Sequence, residues 1–155
     1  MSQTSIQTRV AEIVAGHASL EGALLPVLHA VQAEYGHIPQ DALPVLAQEL
    51  NISRAEVHGV VSFYHDFKEM PAGRHVLKLC RAEACQAMGG TALADSAMAL
   101  LGIDWHGTTA NGAVTLEPVY CLGLCACAPA AMLDGRVIGR VNAARLSDIA
   151  AECGA

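Results

Sequence analysis

Hydrophobic residues in the first part of the chain recur every three or four positions, the spacing that places side chains on one face of a helix. One such face consists of Leu24, Leu28, Val31 and Tyr35. Gly36 follows directly and is predicted to end this helix, because glycine readily adopts the left-handed conformation found after a last helical turn. Pro26 lies near the start of the segment, where a missing N–H is tolerated.

Two further helices are predicted before residue 70. The second is predicted after Pro39, from the spacing of the apolar residues Ile38, Leu43, Leu46 and Leu50. The third begins after Ser53, since Ser53 and Glu56 have the spacing of a capping box, in which each side chain bonds the other residue's backbone N–H. Its apolar face consists of Val57, Val60, Val61 and Tyr64. Because the connections are short, we predict a compact helical bundle over residues 1–70.

Near Pro71 the pattern changes from helical spacing to strands separated by turn residues. Asn111-Gly112 marks a turn, and Gly102 is placed to close a helix. The elements predicted here, in chain order, are a strand over residues 75–80, a helix over residues 90–101 and a strand over residues 114–119.

The end of the chain predicts a hairpin and a final helix. Asp134-Gly135 is typical of two-residue hairpin turns and lies between short apolar runs. Leu146, Ile149 and Cys153 share one face of a C-terminal helix. Strands and helices therefore alternate over residues 71–155, which predicts a small α/β domain after the bundle and an α+β or α/β fold for the whole chain.

Composition supports an ordinary hydrophobic core. Hydrophobic residues make up 53% of the 155 positions, so burial can stabilise the fold without disulfides. The N-terminus lacks the basic start and apolar run of a secretory signal, and no stretch reaches about 18 apolar residues. We therefore expect a cytoplasmic protein with reduced cysteines. The net charge of −6 and the 4% aromatic content argue against nucleic-acid binding.

Four of the six cysteines form two close pairs, Cys80-x4-Cys85 and Cys121-x3-Cys125. Each pair is predicted to lie in a loop at the end of a strand, where the short spacing lets two sulfurs converge. A [2Fe–2S] cluster requires two thiolates on each of its two irons, so two such pairs match its ligand set. The second loop is apolar and contains Gly123, as expected of a backbone wrapped closely around an anionic cluster. The spacing favours a cluster on these four cysteines.

Other uses of the cysteines stay open on spacing alone. Structural zinc also takes four cysteines, although its pairs are usually separated by two residues. A reducing compartment opposes disulfides, and the C-x-x-C of a redox-active pair is absent. Cys127 is interpreted as a buried thiol in the cluster loop rather than a spare ligand, and Cys153 as part of the core. The histidines show no paired spacing with the cysteines, which argues against a Rieske-type site.

The chain lacks the usual nucleotide-binding motifs. It contains neither G-x-G-x-x-G after a strand nor G-x-x-x-x-G-K-[ST]. Gly89-Gly90 and Gly135-x3-Gly139 are too generic to indicate a phosphate cradle. Nothing marks a catalytic nucleophile. We therefore expect the chain alone to bind neither NAD nor FMN and to contribute no catalytic residue.

Motifs in both halves of the chain resemble one known family. Cys80-x4-Cys85 and Cys121-x3-Cys125, at this separation, resemble the thioredoxin-like [2Fe–2S] ferredoxins found in NADH-oxidising complexes. Residues 35–39 and 57–64 are similar to that family's N-terminal helices. The resemblance extends from about Leu24 onward. It implies a helical bundle followed by a thioredoxin-like [2Fe–2S] domain over residues 71–155, with the cluster held by Cys80, Cys85, Cys121 and Cys125.

The resemblance also implies a place in an NAD-dependent oxidoreductase complex without direct membrane contact. A partner flavoprotein subunit would carry FMN and the NAD site, and this chain would exchange single electrons with that FMN. Residues 81–84 are most similar to the gamma subunit of cytosolic NAD-dependent formate dehydrogenases, whose electrons start at a molybdenum-containing subunit. The alternatives are the equivalent subunit of an NAD-linked hydrogenase or of respiratory complex I and, from another class, a zinc-stabilised interaction module. Arg81 is interpreted either as a solvated arginine or as a charge that offsets the cluster.

Overall fold

The computed structural model describes residues 3–155, with side chains described from residue 5 onward. The first two residues of the predicted bundle lie outside the described residues. The chain divides into two compact units between Pro71 and Ala72. None of the helices in the described part of the chain combines the length and the hydropathy of a membrane span.

Within the described residues, the first unit consists of four helices, which are α1 (Gln3–Gly16), α2 (Leu24–Tyr35), α3 (Ala42–Glu49) and α4 (Arg54–Phe63). α1 packs against α2 and α3, and α3 packs against α4. Their apolar faces form one core, which includes Val10, Val14, Val27, Leu28, Val31, Leu43, Leu46, Val57 and Val61.

α1 lies in a region where no separate helix is predicted. Val10 and Val14 are buried in the core, and Ile6 and Ile13 pack against it. Their spacing of three and four residues is the same signal that predicts the later helices. This helix was therefore detectable from the sequence and was missed.

Two predicted helix boundaries are confirmed. Gly36 follows α2 with a φ of 74°. At the start of α4, Ser53 Oγ accepts from the Glu56 N–H at 3.1 Å, and the Glu56 carboxylate accepts from the Ser53 N–H at 2.7 Å. These two bonds complete the predicted capping box.

Two predicted helix faces extend beyond the helices themselves. Ile38 is buried but precedes α3, and Leu50 follows α3 as its C-cap. Tyr64 likewise follows α4 and is 44% exposed, so it does not belong to the buried face. Periodicity alone does not distinguish a helical position from a neighbouring residue that packs on the same core.

The second unit is a four-stranded mixed sheet with helices. Its elements are β1 (His75–Cys80), α5 (Glu83–Ala87), α6 (Gly90–Leu101), β2 (Val114–Val119), β3 (Ala131–Leu133), β4 (Arg136–Ile138) and α7 (Ala143–Glu152). The strand order is β2-β1-β3-β4, with β1 parallel to β2 and antiparallel to β3. This is a thioredoxin-like fold, and the predicted strands, hairpin and longer helices are confirmed. α5 was not predicted.

The sheet brings three strand ends to one edge. Because β1 and β2 are parallel, Cys80 lies opposite Val119 at the end of both strands. β3 runs the other way and begins where β1 ends, and the Cys80 N–H donates to the Ala130 carbonyl at 2.9 Å. The segment between β2 and β3 therefore leaves and re-enters the sheet beside Cys80.

Asp134 fixes the hairpin turn between β3 and β4. Asp134 and Gly135 both have positive φ, 48° and 87°, as a two-residue turn of this kind requires. The Asp134 carboxylate accepts from the Val76 N–H at 2.8 Å and from His75 Nδ1 at 2.7 Å. Burial opposes ionisation, but the hydrogen bonds hold the pKa of Asp134 below its ordinary value of 3.8.

Replacing Asp134 by alanine is expected to destabilise the second unit by about 1–2 kcal/mol, because two hydrogen bonds are lost and alanine is disfavoured at positive φ. Asp134→Asn keeps an acceptor and tolerates the turn, so it should lose less. Urea unfolding, followed by the fluorescence of Trp105, measures both variants. The ionised Asp134 carboxylate stabilises the folded state fully when the pH is above its ordinary pKa of 3.8. This stabilisation is lost only as the pH falls through the depressed pKa of the folded state. An unchanged midpoint in Asp134→Ala at pH 7 would contradict this role.

Candidate metal centre

The four paired cysteines lie where β1 and β2 end. Cys80 is the last residue of β1, and Cys85 lies in α5, which begins three residues after Cys80. Cys121 lies two residues after β2, and Cys125 begins a 3₁₀ turn (Cys125–Cys127) that leads toward β3. All four predicted ligands therefore belong to segments that meet at one edge of the sheet.

The thiols of these residues form two close pairs. The Sγ atoms of Cys121 and Cys125 are 3.7 Å apart. Two sulfurs bound at about 2.3 Å to one tetrahedral metal ion lie about 3.8 Å apart, so this pair has the spacing of two ligands on one ion. The thiols of Cys80 and Cys85 lie near enough for each to shift the pKa of the other. A negative charge on Cys80 likewise raises the pKa of Cys125 in the second pair.

Structural zinc and a [2Fe–2S] cluster need different arrangements of four thiols. Among the described residues, no three His, Cys, Asp or Glu side chains are placed to hold a single metal ion. Structural zinc requires four ligands around one point. Each iron of a [2Fe–2S] cluster requires only its own two thiolates from the protein. Two pairs of thiols, rather than four thiols around one point, are the donor set that such a cluster would take.

The two pairs differ in their exposure to solvent. Cys80 and Cys85 are 4% and 2% exposed and form a small apolar cluster with Ala130. Cys121 and Cys125 are exposed. A group held by both pairs would extend from the interior of the second unit to its surface.

Hydrogen-bond donors surround the buried thiol of Cys80. Burial alone raises the pKa of this thiol, but hydrogen bonds more than offset the effect and lower the pKa below its ordinary value. The donors are the backbone N–H groups of Ala82, Cys121 and Leu122 and the thiol of Cys85. The Gly123 N–H also donates to Cys121 Sγ at 3.4 Å. Such donors stabilise the thiolate, which is the form that binds metal.

Two other thiols of the group have raised pKa values. For Cys85 the largest cause is burial, followed by its hydrogen bond to Cys80. For Cys125 the largest cause is its hydrogen bond with Cys121. Ionising all four thiols would therefore crowd negative charge at this edge, and the raised pKa values oppose it. A bound metal ion would offset that charge, because coordination displaces the thiol protons and supplies positive charge.

Some local predictions for the cysteines are wrong. Cys85 and Cys125 lie in short helical turns rather than loops, and such turns bring the chain back toward its starting point within a few residues. Cys127, interpreted as a buried thiol, is half-buried. Cys153 is 4% exposed and belongs to the core of the second unit, which confirms its predicted place.

Arg81 makes a contact that the sequence did not predict. Its guanidinium lies 5.3 Å from the centroid of the Trp105 ring, a cation–π distance. Its backbone N–H donates to the Val119 carbonyl at 2.8 Å, and its carbonyl accepts from Gln86 Nε2 at 2.6 Å. Arg81 is thus held through its backbone, and its side chain packs on Trp105 rather than extending freely into solvent.

Comparison with known proteins gives matches over most of the chain. The family model for thioredoxin-like [2Fe–2S] ferredoxins matches residues 10–154. A subunit of the NADH-quinone oxidoreductase of Pseudomonas aeruginosa is 37% identical over 120 residues, which cover 77% of this chain and 72% of that protein. The NADP-reducing hydrogenase subunit HndA of Solidesulfovibrio fructosivorans is 33% identical over 132 residues, which cover 85% of this chain and 77% of that protein.

A solved structure shares the fold. The crystal structure of an NAD⁺-reducing [NiFe]-hydrogenase in the air-oxidised state contains a chain that matches with a TM-score of 0.72 and 26% sequence identity. The match covers 85% of this chain but only 23% of the hydrogenase chain. This chain therefore corresponds to about a quarter of that larger polypeptide.

Proposed function

The chain belongs to the thioredoxin-like [2Fe–2S] ferredoxin family, and on that basis we propose that it is an electron-transfer subunit of a larger NAD(P)-linked oxidoreductase complex. A [2Fe–2S] cluster is the cofactor of this family. The proposed ligands are Cys80, Cys85, Cys121 and Cys125, two for each iron. The observation that supports the proposal most is the gathering of two thiol pairs at one sheet edge, with the Cys121 and Cys125 sulfurs 3.7 Å apart.

When bound, the cluster supplies reversible one-electron transfer. The residues of this chain hold it and tune its charge. Cys80 and Cys85 anchor it on the buried side, and the backbone donors around Cys80 stabilise negative charge on sulfur. The exposed pair, Cys121 and Cys125, lies on the side from which a partner's redox group can approach.

The competing function is a zinc-stabilised interaction module, and the electronic properties of the purified chain separate the two. We expect a red-brown protein that, after reduction with dithionite, gives a rhombic EPR signal of about one spin per cluster, because the two-iron centre accepts one electron. Iron, sulfide and zinc content would be measured on the same sample. A colourless, EPR-silent protein with stoichiometric zinc would establish the zinc module instead.

The names of the relatives bear on which complex this is. The relatives are subunits of an NADH-quinone oxidoreductase and of an NADP-reducing hydrogenase, and the solved structure is an NAD⁺-reducing hydrogenase. We therefore favour a complex of one of these kinds over the formate dehydrogenase suggested by residues 81–84. Under this proposal, the direct partner is a flavoprotein subunit with FMN and the nucleotide site. A molybdenum-containing subunit is expected only if the formate prediction holds, and a cytoplasmic location stays a prediction.

A further inference from the structure

Gly139 lies in close contact with Cys127, which follows Cys125 of the second cysteine pair by two residues. A Cβ atom added at Gly139 would lie 2.8 Å from Cys127 Cβ and 3.1 Å from the Cys127 carbonyl oxygen. Both distances are shorter than ordinary van der Waals contact, so a larger residue at position 139 would displace Cys127. Gly139 is not among the glycines with positive φ. Glycine is therefore required here for close approach and not for backbone conformation.

Hydrogen bonds hold the same two segments together. The Arg140 N–H donates to the Cys127 carbonyl at 2.6 Å, and the Val141 N–H donates to the Pro129 carbonyl at 2.9 Å. On the other side, the Cys80 N–H donates to the Ala130 carbonyl at 2.9 Å. Residues 127–130 are thus fixed between the end of β1, where the first cysteine pair begins, and residues 139–141.

We propose that Gly139 is a positioning residue for the metal centre. Its contact with Cys127 sets the place of the 3₁₀ turn, and Cys125 lies two residues earlier at the start of that turn. The distance from the second thiol pair to the first therefore depends on how closely residue 139 approaches. Cys127 acts through its Cβ and its carbonyl oxygen in this contact and not through its sulfur. The proposal rests on the ligand set given under the proposed function.

The test introduces the clash and then removes it. In Gly139→Ala, the added methyl group pushes the turn away, and we expect iron release to a chelator to become about tenfold faster, with shifted EPR g values. Cys127→Gly removes the Cβ that the new methyl group would meet at 2.8 Å and leaves the Cys127 carbonyl oxygen at 3.1 Å. The double variant Cys127→Gly/Gly139→Ala should therefore recover much, but not all, of the wild-type release rate and spectrum. Together with Cys127→Gly alone, these variants measure the coupling between the two positions.

Gly59→Ala is the matched control, because a Cβ at Gly59 meets nothing within 4 Å and its φ is not positive. It should release iron at the wild-type rate. Wild-type release and spectra in Gly139→Ala would overturn the proposal, as would a double variant no better than Gly139→Ala. If circular dichroism shows that Gly139→Ala does not fold, the double variant becomes the test. A folded double variant with nearly wild-type iron release supports the proposal, and an unfolded one overturns it. A wild-type chain without iron would overturn the proposed function itself, which distinguishes the two failures.

Discussion

Replacing Cys121 by serine is expected to remove most of the iron and acid-labile sulfide from the purified chain. Each iron needs two thiolates from the protein and, under the proposed ligand set, the substitution would leave one iron with a single cysteine. Cys121 is exposed, so the change should cost the apolar core little. Cys85→Ser should cause a comparable loss from the buried side. Iron and sulfide per chain, together with the visible absorption spectrum, measure the effect.

Cys127→Ser is the matched control for this prediction. It makes the same chemical change in the same segment, and serine keeps the Cβ that contacts Gly139. It should therefore keep the red-brown colour and full iron content. Full occupancy in Cys121→Ser would show that Cys121 is not a ligand. Loss of iron in Cys127→Ser would mean that Cys127 supplies a thiolate to the cluster in place of Cys121 or Cys125.

Much of the second unit was predictable because its signals are local. The strand that ends on Cys80, the helix closed by Gly102 and the Asp134-Gly135 turn each depend on a few adjacent residues. Once β1 and β2 are taken as parallel neighbours, their ends must lie at one edge. The meeting of the two cysteine pairs then follows from the sheet, since Cys80 ends β1 and Cys121 follows β2.

Contacts between residues distant in sequence were not predictable from a single chain. Trp105 is the sole tryptophan, and nothing in its surroundings indicates that Arg81 packs over its ring. In the sequence, Gly135-x3-Gly139 is a generic glycine spacing, and the proposed role of Gly139 follows only from the fold, in which the end of β4 brings it against Cys127. α5 was missed for another reason. A helix of five residues is too short to show a hydrophobic period.

The purified chain alone should not be reduced by NADH, whereas addition of its flavoprotein partner should allow NADH to reduce it. Under the proposed function, the nucleotide site and the flavin lie on another subunit, so hydride would first reach that flavin. The exposed Cys121 and Cys125 place one side of the centre where that flavin can approach. EPR after mixing the chain, the flavoprotein and NADH measures the result. Cys121→Ser with the same partner is the control, in which the flavin is reduced and this chain gives no signal.

Purifying this chain with its partners from the native host identifies the complex to which it belongs. Affinity-tagging this chain should co-purify the flavoprotein and, with it, subunits of a hydrogenase or of an NADH-quinone oxidoreductase, the complexes to which its relatives belong. Recovery of a molybdenum-containing subunit would instead support the formate dehydrogenase prediction and leave the cluster assignment unchanged. Reduction of the isolated chain by NADH would contradict the proposal that the nucleotide site lies on the flavoprotein, because it would place such a site on this chain.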